Sequence, residues 1–235
     1  MKKIKAAGFV CLFAVVLVWA VKSGASASAT DELSIGQKID VEFASYIAEN
    51  EDMRTRDIDQ YFSANGNIQQ LAKQMDTDSI YAIGDNIIIA NDEIEQYEKF
   101  YELQGNSAPE EIAIAYAEKR NALYVAAIMN GFSVTDVEIY DYLDELKDIL
   151  TTTMTEQEYR ELISAFESED AYWNYQFKVY EVNLPIQKYV ATLEHEYKSQ
   201  HTEITDPIAL DQAWGEEFER IKEDLVKQQN YVVAE

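Results

Sequence analysis

The sequence is poor in cysteine, histidine, proline and glycine. Its 235 residues include one Cys, two His, three Pro and eight Gly. One Cys cannot form an intramolecular disulfide, which excludes a small secreted domain held together by disulfides. Because few Gly and Pro residues interrupt the chain, long helices are favoured.

Positive charge is also scarce. Nineteen Lys and Arg residues stand against 44 Asp and Glu residues, and the formal net charge is −25. A nucleic-acid binder needs cations that meet the phosphates, so no nucleic-acid partner is expected. Hydrophobic residues make up 47% of the chain and aromatic residues 12%, which is enough apolar surface for a folded core. The composition therefore predicts a mainly α, acidic globular protein of one domain or two small ones.

Residues 1–29 have the pattern of a secretory signal peptide. Lys2, Lys3 and Lys5 precede an uncharged apolar run over residues 6–21, and small residues follow as far as Ala29. As a helix that run would span about 24 Å, less than the roughly 30 Å of a hydrocarbon core. Cleavage after Ala29 is therefore favoured over the alternative, an N-terminal membrane anchor, and we expect membrane contact only through an uncleaved segment.

Cys11 lies inside this apolar run and not after a small-residue box at its end, so no lipid anchor is predicted. Loss of residues 1–29 would remove four lysines and no acidic residue, which takes the net charge from −25 to −29. It would also remove Cys11, and a chain without Cys suits an oxidising exterior. We therefore expect an extracytoplasmic protein.

Residues 30–78 are predicted to form an N-terminal helical arm. A helical pattern is present over residues 39–47, and a charged connection follows over residues 49–56. A further helix is expected over residues 58–75, where Asn65-Gly66-Asn67 is a potential interruption. The pattern leaves open whether the arm packs on the rest of the protein.

Residues 80–89 are predicted to form a β-hairpin. The β-favouring runs 80–83 and 87–89 flank Gly84-Asp85-Asn86, a sequence typical of a turn. Because an isolated two-stranded hairpin is only marginally stable, the β-favouring residues 231–233 are predicted to add a third strand.

Helix signals are strong from Asn91 onward, where Asn91 is a candidate N-cap. Capping boxes are expected at residues 107–110, 135–138 and 155–158, and Asp206-Pro207 is expected to open the last helix. A long apolar stripe over residues 172–197 contains Pro185, so a kink or a short break is expected near Leu184. These helices cannot bury their apolar faces separately, and residues 79–235 are therefore predicted to form one domain.

Neither the histidines nor the acidic residues match a catalytic or metal-binding motif. His195 and His201 are six positions apart, which places them on different sides of a helix and not together on one metal ion. Asp76-Thr77-Asp78 begins like a calcium loop, but Tyr81 and Ile87 occupy the positions that require Gly and Glu. We therefore predict no metal, no cofactor and no enzyme activity.

Aromatic side chains are concentrated over residues 172–180. The five are Tyr172, Trp173, Tyr175, Phe177 and Tyr180. Each step along a helix turns by about 100°, so these side chains cannot all face one core. One interpretation is burial between helices on two sides. The other is an apolar groove that binds extended or unfolded peptide.

Three segments resemble a known family in order and spacing. Residues 83–94 (I-G-D-N-I-I-I-A-N-D-E-I) resemble the opening of the SurA N-terminal domain family, although Asp85-Asn86 stands where the family usually has Gly-Glu. Residues 129–139 are similar to the family's transition into its next helix, and T-E-Q-E-Y at 155–159 is similar to a later helix start. The resemblance covers about residues 79–200. The family includes the non-catalytic parts of SurA- and PrsA-like extracytoplasmic folding factors.

The resemblance implies an exported bacterial chaperone-like protein, secreted or tethered to the outer face of the cytoplasmic membrane, that binds unfolded or partly folded polypeptides. Many family members also carry a parvulin-type prolyl isomerase domain, to which no segment here is similar. Seven residues are predicted to contact the client polypeptide: Met129, Phe132, Tyr140, Phe166, Tyr172, Trp173 and Phe177.

The same helical domain also suits a second function, that of a cell-envelope adaptor that binds one specific folded partner. The acidic surface is expected to keep the protein soluble, and we hypothesise that it favours basic clients. The sequence does not decide the oligomeric state.

Overall fold

A computed structural model of the protein describes residues 35–234. The predicted signal peptide, residues 1–29, lies outside the described residues. Those residues form a mainly helical protein with a small three-stranded antiparallel sheet, which confirms the predicted fold class. None of their helices is long and apolar enough to cross a membrane.

The described chain contains nine α-helices, three strands and two short 3-10 helices at Ile58–Gln60 and Thr77–Ser79. The helices are α1 (Ile35–Glu49), α2 (Glu51–Thr55), α3 (Ile68–Ala72), α4 (Asn91–Leu103), α5 (Pro109–Met129), α6 (Asp136–Thr153), α7 (Glu156–Ser164), α8 (Glu169–Gln200) and α9 (Pro207–Gln229). The strands are β1 (Ile80–Ile83), β2 (Ile88–Ala90) and β3 (Val232–Val233).

The sheet has the strand order β2-β1-β3, and both neighbours run antiparallel to β1. The Gly84 N–H donates to the Ile87 carbonyl at 2.8 Å and closes the turn between β1 and β2. Ile83 pairs with Ile88 on one side and with Val232 on the other. The predicted hairpin and the predicted third strand are therefore both confirmed.

Gly84 has no room for a side chain, because the Tyr231 ring lies against it. A Cβ atom at this position would lie 2.8 Å from Cε1 of Tyr231, the residue that precedes β3. Tyr231 packs against two of the hydrophobic clusters described below, so this contact joins the hairpin turn to the end of the chain.

Three of the predicted helix starts are confirmed. The Thr135 and Thr155 hydroxyl oxygens each accept a hydrogen bond from the backbone N–H three residues on. The Glu138 and Glu158 carboxylates in turn accept from the backbone N–H of Thr135 and Thr155. Asp206 accepts from the Ile208 N–H at 3.1 Å, and a proline follows at the first helical position. Local sequence is sufficient for these starts because all the bonding groups lie within one turn.

Two predicted caps are wrong. Helix α5 begins at Pro109 after Ala108, whose side chain makes no cap, since the fixed φ of proline suits the first helical position without a capping box. Helix α4 begins after Ala90, and the Asn91 side chain donates instead to the Asp78 carbonyl at 2.8 Å. Asn91 therefore ties α4 to the turn before β1.

Residues 58–75 do not form the predicted helix. The Ile88 N–H donates to the Tyr61 carbonyl at 2.8 Å, and Phe62 forms an isolated bridge with Ile87, so the sheet takes the backbone groups that a helix would use. Only the ends of this segment are helical, and the predicted charged connection before it contains the short helix α2.

Of the kink or short break predicted near Leu184, the break does not occur, since α8 continues from Glu169 to Gln200. Pro185 is less than 2% exposed, and its neighbours Leu184 and Ile186 are buried as well. Packing on this turn therefore holds the helix together where one backbone hydrogen bond is missing.

Two main hydrophobic clusters form the core. The first joins α1, α4, α5, α7 and α8, and the second joins α5, α8 and α9. Phe43 and Ile47 of α1 belong to the first cluster, and the rings of Phe43 and Phe100 meet edge to face at 5.3 Å. The described part of the predicted arm therefore packs on the helical domain.

Candidate functional site

The predicted client-binding residues lie in two different environments. Phe166 and Tyr172 are each only 6% exposed, and their rings meet edge to face at 5.4 Å within the first cluster. Tyr180 is fully buried against Ile139 and Leu143 of α6, in a third cluster. Burial on two sides of α8 therefore explains much of the aromatic run, and a client cannot reach Phe166 or Tyr172 in the folded protein.

The other five predicted residues are wholly or partly accessible. Met129 and Tyr140 are each 58% exposed, whereas Phe132, Trp173 and Phe177 are half-buried. The Tyr140 ring lies 4.9 Å from the Phe177 ring. The Phe132 ring lies 5.4 Å from Tyr189 of α8.

Val137, which was not among the predicted site residues, is 67% exposed in the first turn of α6. We call Phe132, Val137, Tyr140 and Phe177 the α6–α8 surface, because they flank the junction of these two helices. Met129 is exposed nearby in sequence, at the end of α5.

Helix α6 is fixed on α8 at both ends. Near its start, Glu138 Oε1 lies 2.5 Å from Lys188 Nζ. Near its end, Lys147 Nζ lies 2.6 Å from Glu169 Oε1, which also accepts hydrogen bonds from Tyr159 Oη at 2.8 Å and Trp173 Nε1 at 3.3 Å. These contacts show that the two helices run antiparallel, side by side, next to the α6–α8 surface.

Negative charge surrounds this surface. Helix α6 carries six acidic residues and one lysine. The hydrogen bond from Lys188, followed by those from the Thr135 backbone and side chain, lowers the pKa of Glu138 to about 2. This carboxylate is therefore ionised at any physiological pH, beside exposed apolar side chains.

A second candidate site is a cavity of about 60 Å3 between α2, α4, α5 and α8. Its polar lining includes Arg56, Glu93, Gln96, Arg120, Asn121 and Tyr175. Glu93, Gln96 and Asn121 are at most 7% exposed. Buried polar groups at this density are costly unless they are hydrogen-bonded, so their partners decide what the cavity can do.

Glu93 is the centre of the hydrogen-bond network beside the cavity. It accepts from Tyr97 Oη at 3.0 Å, from Asn121 Nδ2 at 3.1 Å and from Arg120 Nη1 at 3.4 Å. Arg120 also donates through Nε and Nη2 to Asn183 Oδ1 at 3.2 and 3.1 Å. Arg120 and Glu93 therefore compensate each other's charge.

Arg56 has a different set of contacts. Its Nη2 forms an ion pair with Asp92 Oδ1 at 2.7 Å. Its Nε has no hydrogen-bond partner among residues 35–234. Burial disfavours the guanidinium charge, but the carboxylates of Glu93 and Asp92 outweigh this effect and raise the pKa of Arg56. Arg56 is therefore a charged, largely buried donor beside the cavity.

Tyr97 and Tyr175, which line this cavity, are not candidate bases, and neither histidine lines it. Burial raises the pKa values of Tyr97 and Tyr175, so both phenols stay protonated and act as neutral hydrogen-bonding groups. His195 is exposed on α8, and His201 stacks on Tyr197 at 4.0 Å at the end of that helix. Across the described residues, no group of three His, Cys, Asp or Glu side chains could hold a metal ion.

Sequence reasoning missed the cavity residues. A signal was present, because Glu93 stands one helical turn before Tyr97 on the buried face of α4, and Asn121 interrupts the small apolar residues of α5. A polar residue at a core-facing position of a helix indicates a buried partner. The partner itself could not be read from the sequence, since Arg120 and Asn183 lie 63 positions apart.

Comparisons with known proteins found no similar protein. No protein-family model matches the chain, and no curated protein and no solved structure matches it significantly.

Proposed function

We propose that the protein is an extracytoplasmic chaperone-like protein that binds unfolded or partly folded polypeptides without isomerase activity. The observation that carries the proposal is the α6–α8 surface, where large apolar side chains remain exposed beside a strongly acidic helix. An apolar surface of this kind binds unfolded chains through burial of nonpolar area, roughly 25 cal/mol per Å2, reduced by the cost of ordering the client.

The acidic surroundings support an unfolded client over a second copy of the chain. The protein carries a net charge of −25, so two copies repel one another when their acidic faces approach. A client with exposed apolar and basic residues would contact both the apolar side chains of this surface and the acidic residues around it. The resemblance of residues 79–200 to the SurA N-terminal domain family favours the same class of client.

The test is suppression of aggregation of several unrelated unfolded proteins. The protein should prevent their aggregation at near-stoichiometric ratios, and a prolyl isomerase assay run beside it should show no activity. A Val137→Ser, Tyr140→Ser double variant should lose most of the suppression. Both side chains are largely exposed, so this variant should keep the wild-type helical content.

Ile208→Ser is the matched control, since Ile208 is 69% exposed on another helix, α9. It should suppress aggregation as well as the wild type. If the double variant and the control behave alike, the α6–α8 surface is not the binding site. If the protein suppresses no aggregation but retains one folded partner in a pull-down, the adaptor function replaces the chaperone function.

A further inference from the structure

Helix α6 combines exposed apolar side chains with uncompensated negative charge. Three of the seven large hydrophobic residues exposed in the described part of the chain belong to it, namely Val137, Tyr140 and Ile149. Of its six acidic residues only Glu138 is paired, with Lys188. The other five are exposed and form no ion pair with a described residue: Asp136, Asp141, Asp144, Glu145 and Asp148.

The apolar and the acidic residues share one face of α6. Asp141 follows Val137 by four positions, and Asp144 follows Tyr140 by four positions. Side chains at this spacing are neighbours on a helix. A segment that binds this face must therefore bring both apolar surface and positive charge.

One segment of this chain has both properties. Residues 1–34 precede the described residues, and their run over residues 6–21 is apolar and uncharged. The segment's four lysines flank this run, and residues 1–29 contain no acidic residue. These lysines are Lys2, Lys3, Lys5 and Lys22. Its charge is thus opposite in sign to that of α6.

The segment can also reach the α6–α8 surface of its own molecule. Ile39, near the start of α1, and Trp173 of α8 pack against the same hydrophobic cluster. Trp173 and Phe177, one turn apart on α8, both pack against the cluster that joins α8 to α6. From Lys22 to Ile35 the chain advances 13 positions, which span up to about 43 Å when extended.

We propose that residues 6–21 bind the α6–α8 surface of the same molecule, with the flanking lysines beside Asp141 and Asp144, and compete there with client polypeptides. The inference rests on the proposed function, because it concerns the same surface. A tethered segment has an effective concentration on the order of millimolar, so a weak contact is sufficient. Clients should bind several-fold more weakly while the segment is present, and cleavage after Ala29 would open the surface.

The experiment attaches a nitroxide spin label to Cys11, the only cysteine of the chain, which lies within the apolar run. The label broadens the NMR signals of nearby nuclei. In buffer without lipid or detergent, the backbone amide signals of Val137 and Tyr140 should be broadened. Ile208 is similarly exposed but lies on α9, and its signal should stay sharp.

The variant that tests the charge is Lys2→Gln with Lys3→Gln and Lys5→Gln, which keeps the apolar run and the tether. The broadening at α6 should fall several-fold in this variant, and its affinity for clients should rise. Lys73→Gln is the control, since it removes an exposed lysine outside the segment and should change neither result.

Equal broadening at Ile208 and Tyr140, or no effect of the lysine changes, would overturn the inference, because a tether alone would explain the signal. Broadening that appears between spin-labelled and separately isotope-labelled molecules would place the segment on a second copy and would also overturn it. Aggregation suppression without broadening at α6 would refute only this inference. Broadening at α6 in a protein that suppresses no aggregation would refute the chaperone function and leave the contact of the segment established.

Discussion

At the scale of single residues, two acidic side chains on neighbouring helices have opposite environments. Glu93 is buried, but each of its oxygens accepts a hydrogen bond from Asn121, and Arg120 adds a compensating charge. Asp40 of α1 is only partly buried, yet its Oδ1 has no hydrogen-bond partner among the described residues. The first carboxylate therefore has its hydrogen-bond partners within the fold, whereas the second lacks one and destabilises the fold when it is charged.

Replacement of Glu93 by Ala should destabilise the protein strongly. The change leaves the Arg120 guanidinium and the Asn121 amide without their carboxylate partner inside the protein. Removal of one partner from a buried pair costs about 3–5 kcal/mol. Urea denaturation followed by circular dichroism measures the loss.

Glu156→Ala is the control for this prediction, since Glu156 forms an exposed pair with Arg160. Its effect on the free energy of unfolding should stay below about 1 kcal/mol. Equal losses in the two variants would show that the Glu93 network does not stabilise the fold.

Asp40 gives a prediction about pH. Burial raises its pKa from 3.8 to about 7 in the folded protein. The folded state therefore holds this proton more tightly than the unfolded state, and the stabilisation from protonated Asp40 is complete below about pH 4. It is lost progressively as the pH rises through about 7.

Asp40→Asn should remove this dependence. The variant should unfold at nearly the same urea concentration as the wild type at pH 4 and at a higher concentration at pH 8. Because the other acidic residues are the same in both proteins, the difference between their urea midpoints reports on Asp40 alone. A difference that stays constant across this range would mean that Asp40 is solvated in the folded protein.

At the scale of secondary structure, the sequence predicts elements whose signals are local. The hairpin around Gly84 and the helix starts at Thr135 and Thr155 follow from bonds between residues a few positions apart. The predicted helix over residues 58–75 failed because the partner of Phe62 is Ile87, 25 positions away in the chain. The cavity depends on still more distant pairs, so only its polar core-facing positions could be noticed beforehand.

The capping box at Thr135 should contribute measurably to stability. Thr135→Ala removes the acceptor for the Glu138 N–H, which lies at 3.3 Å, and should cost about 1 kcal/mol. Thermal unfolding measures the effect. Because this cap sets the start of α6, client binding at the α6–α8 surface should fall as well.

Thr152→Ala is the matched control within the same helix. The Thr152 hydroxyl donates back to the Asp148 carbonyl at 2.8 Å, a bond that does not stabilise the helix, so the variant should be as stable as the wild type. If both variants lost the same stability, the Thr135 cap would not stabilise α6 more than any other threonine of the helix.

At the scale of the whole molecule, charge and apolar surface act together. A net charge of −25 makes copies of the protein repel one another, and we expect this repulsion to oppose aggregation through the exposed side chains of Val137 and Tyr140. The same charge acts over about 10 Å at 0.1 M salt, which covers the immediate surroundings of the α6–α8 surface. Electrostatics should therefore influence which unfolded chains bind there.

We expect the protein to prefer apolar peptides that carry Lys and Arg over peptides of equal length and hydrophobicity that carry Asp and Glu. The preference should be large at low salt and should shrink as sodium chloride screens the acidic residues of α6, while the apolar contribution remains. Fluorescence anisotropy of labelled peptides across a salt series measures both the charge-dependent and the apolar contribution to the affinity. Asp141→Asn with Asp144→Asn should reduce the preference for basic peptides without loss of binding to uncharged ones. If the affinity is indifferent to peptide charge and to salt, the acidic surface only keeps the protein soluble, and the apolar side chains alone select the client.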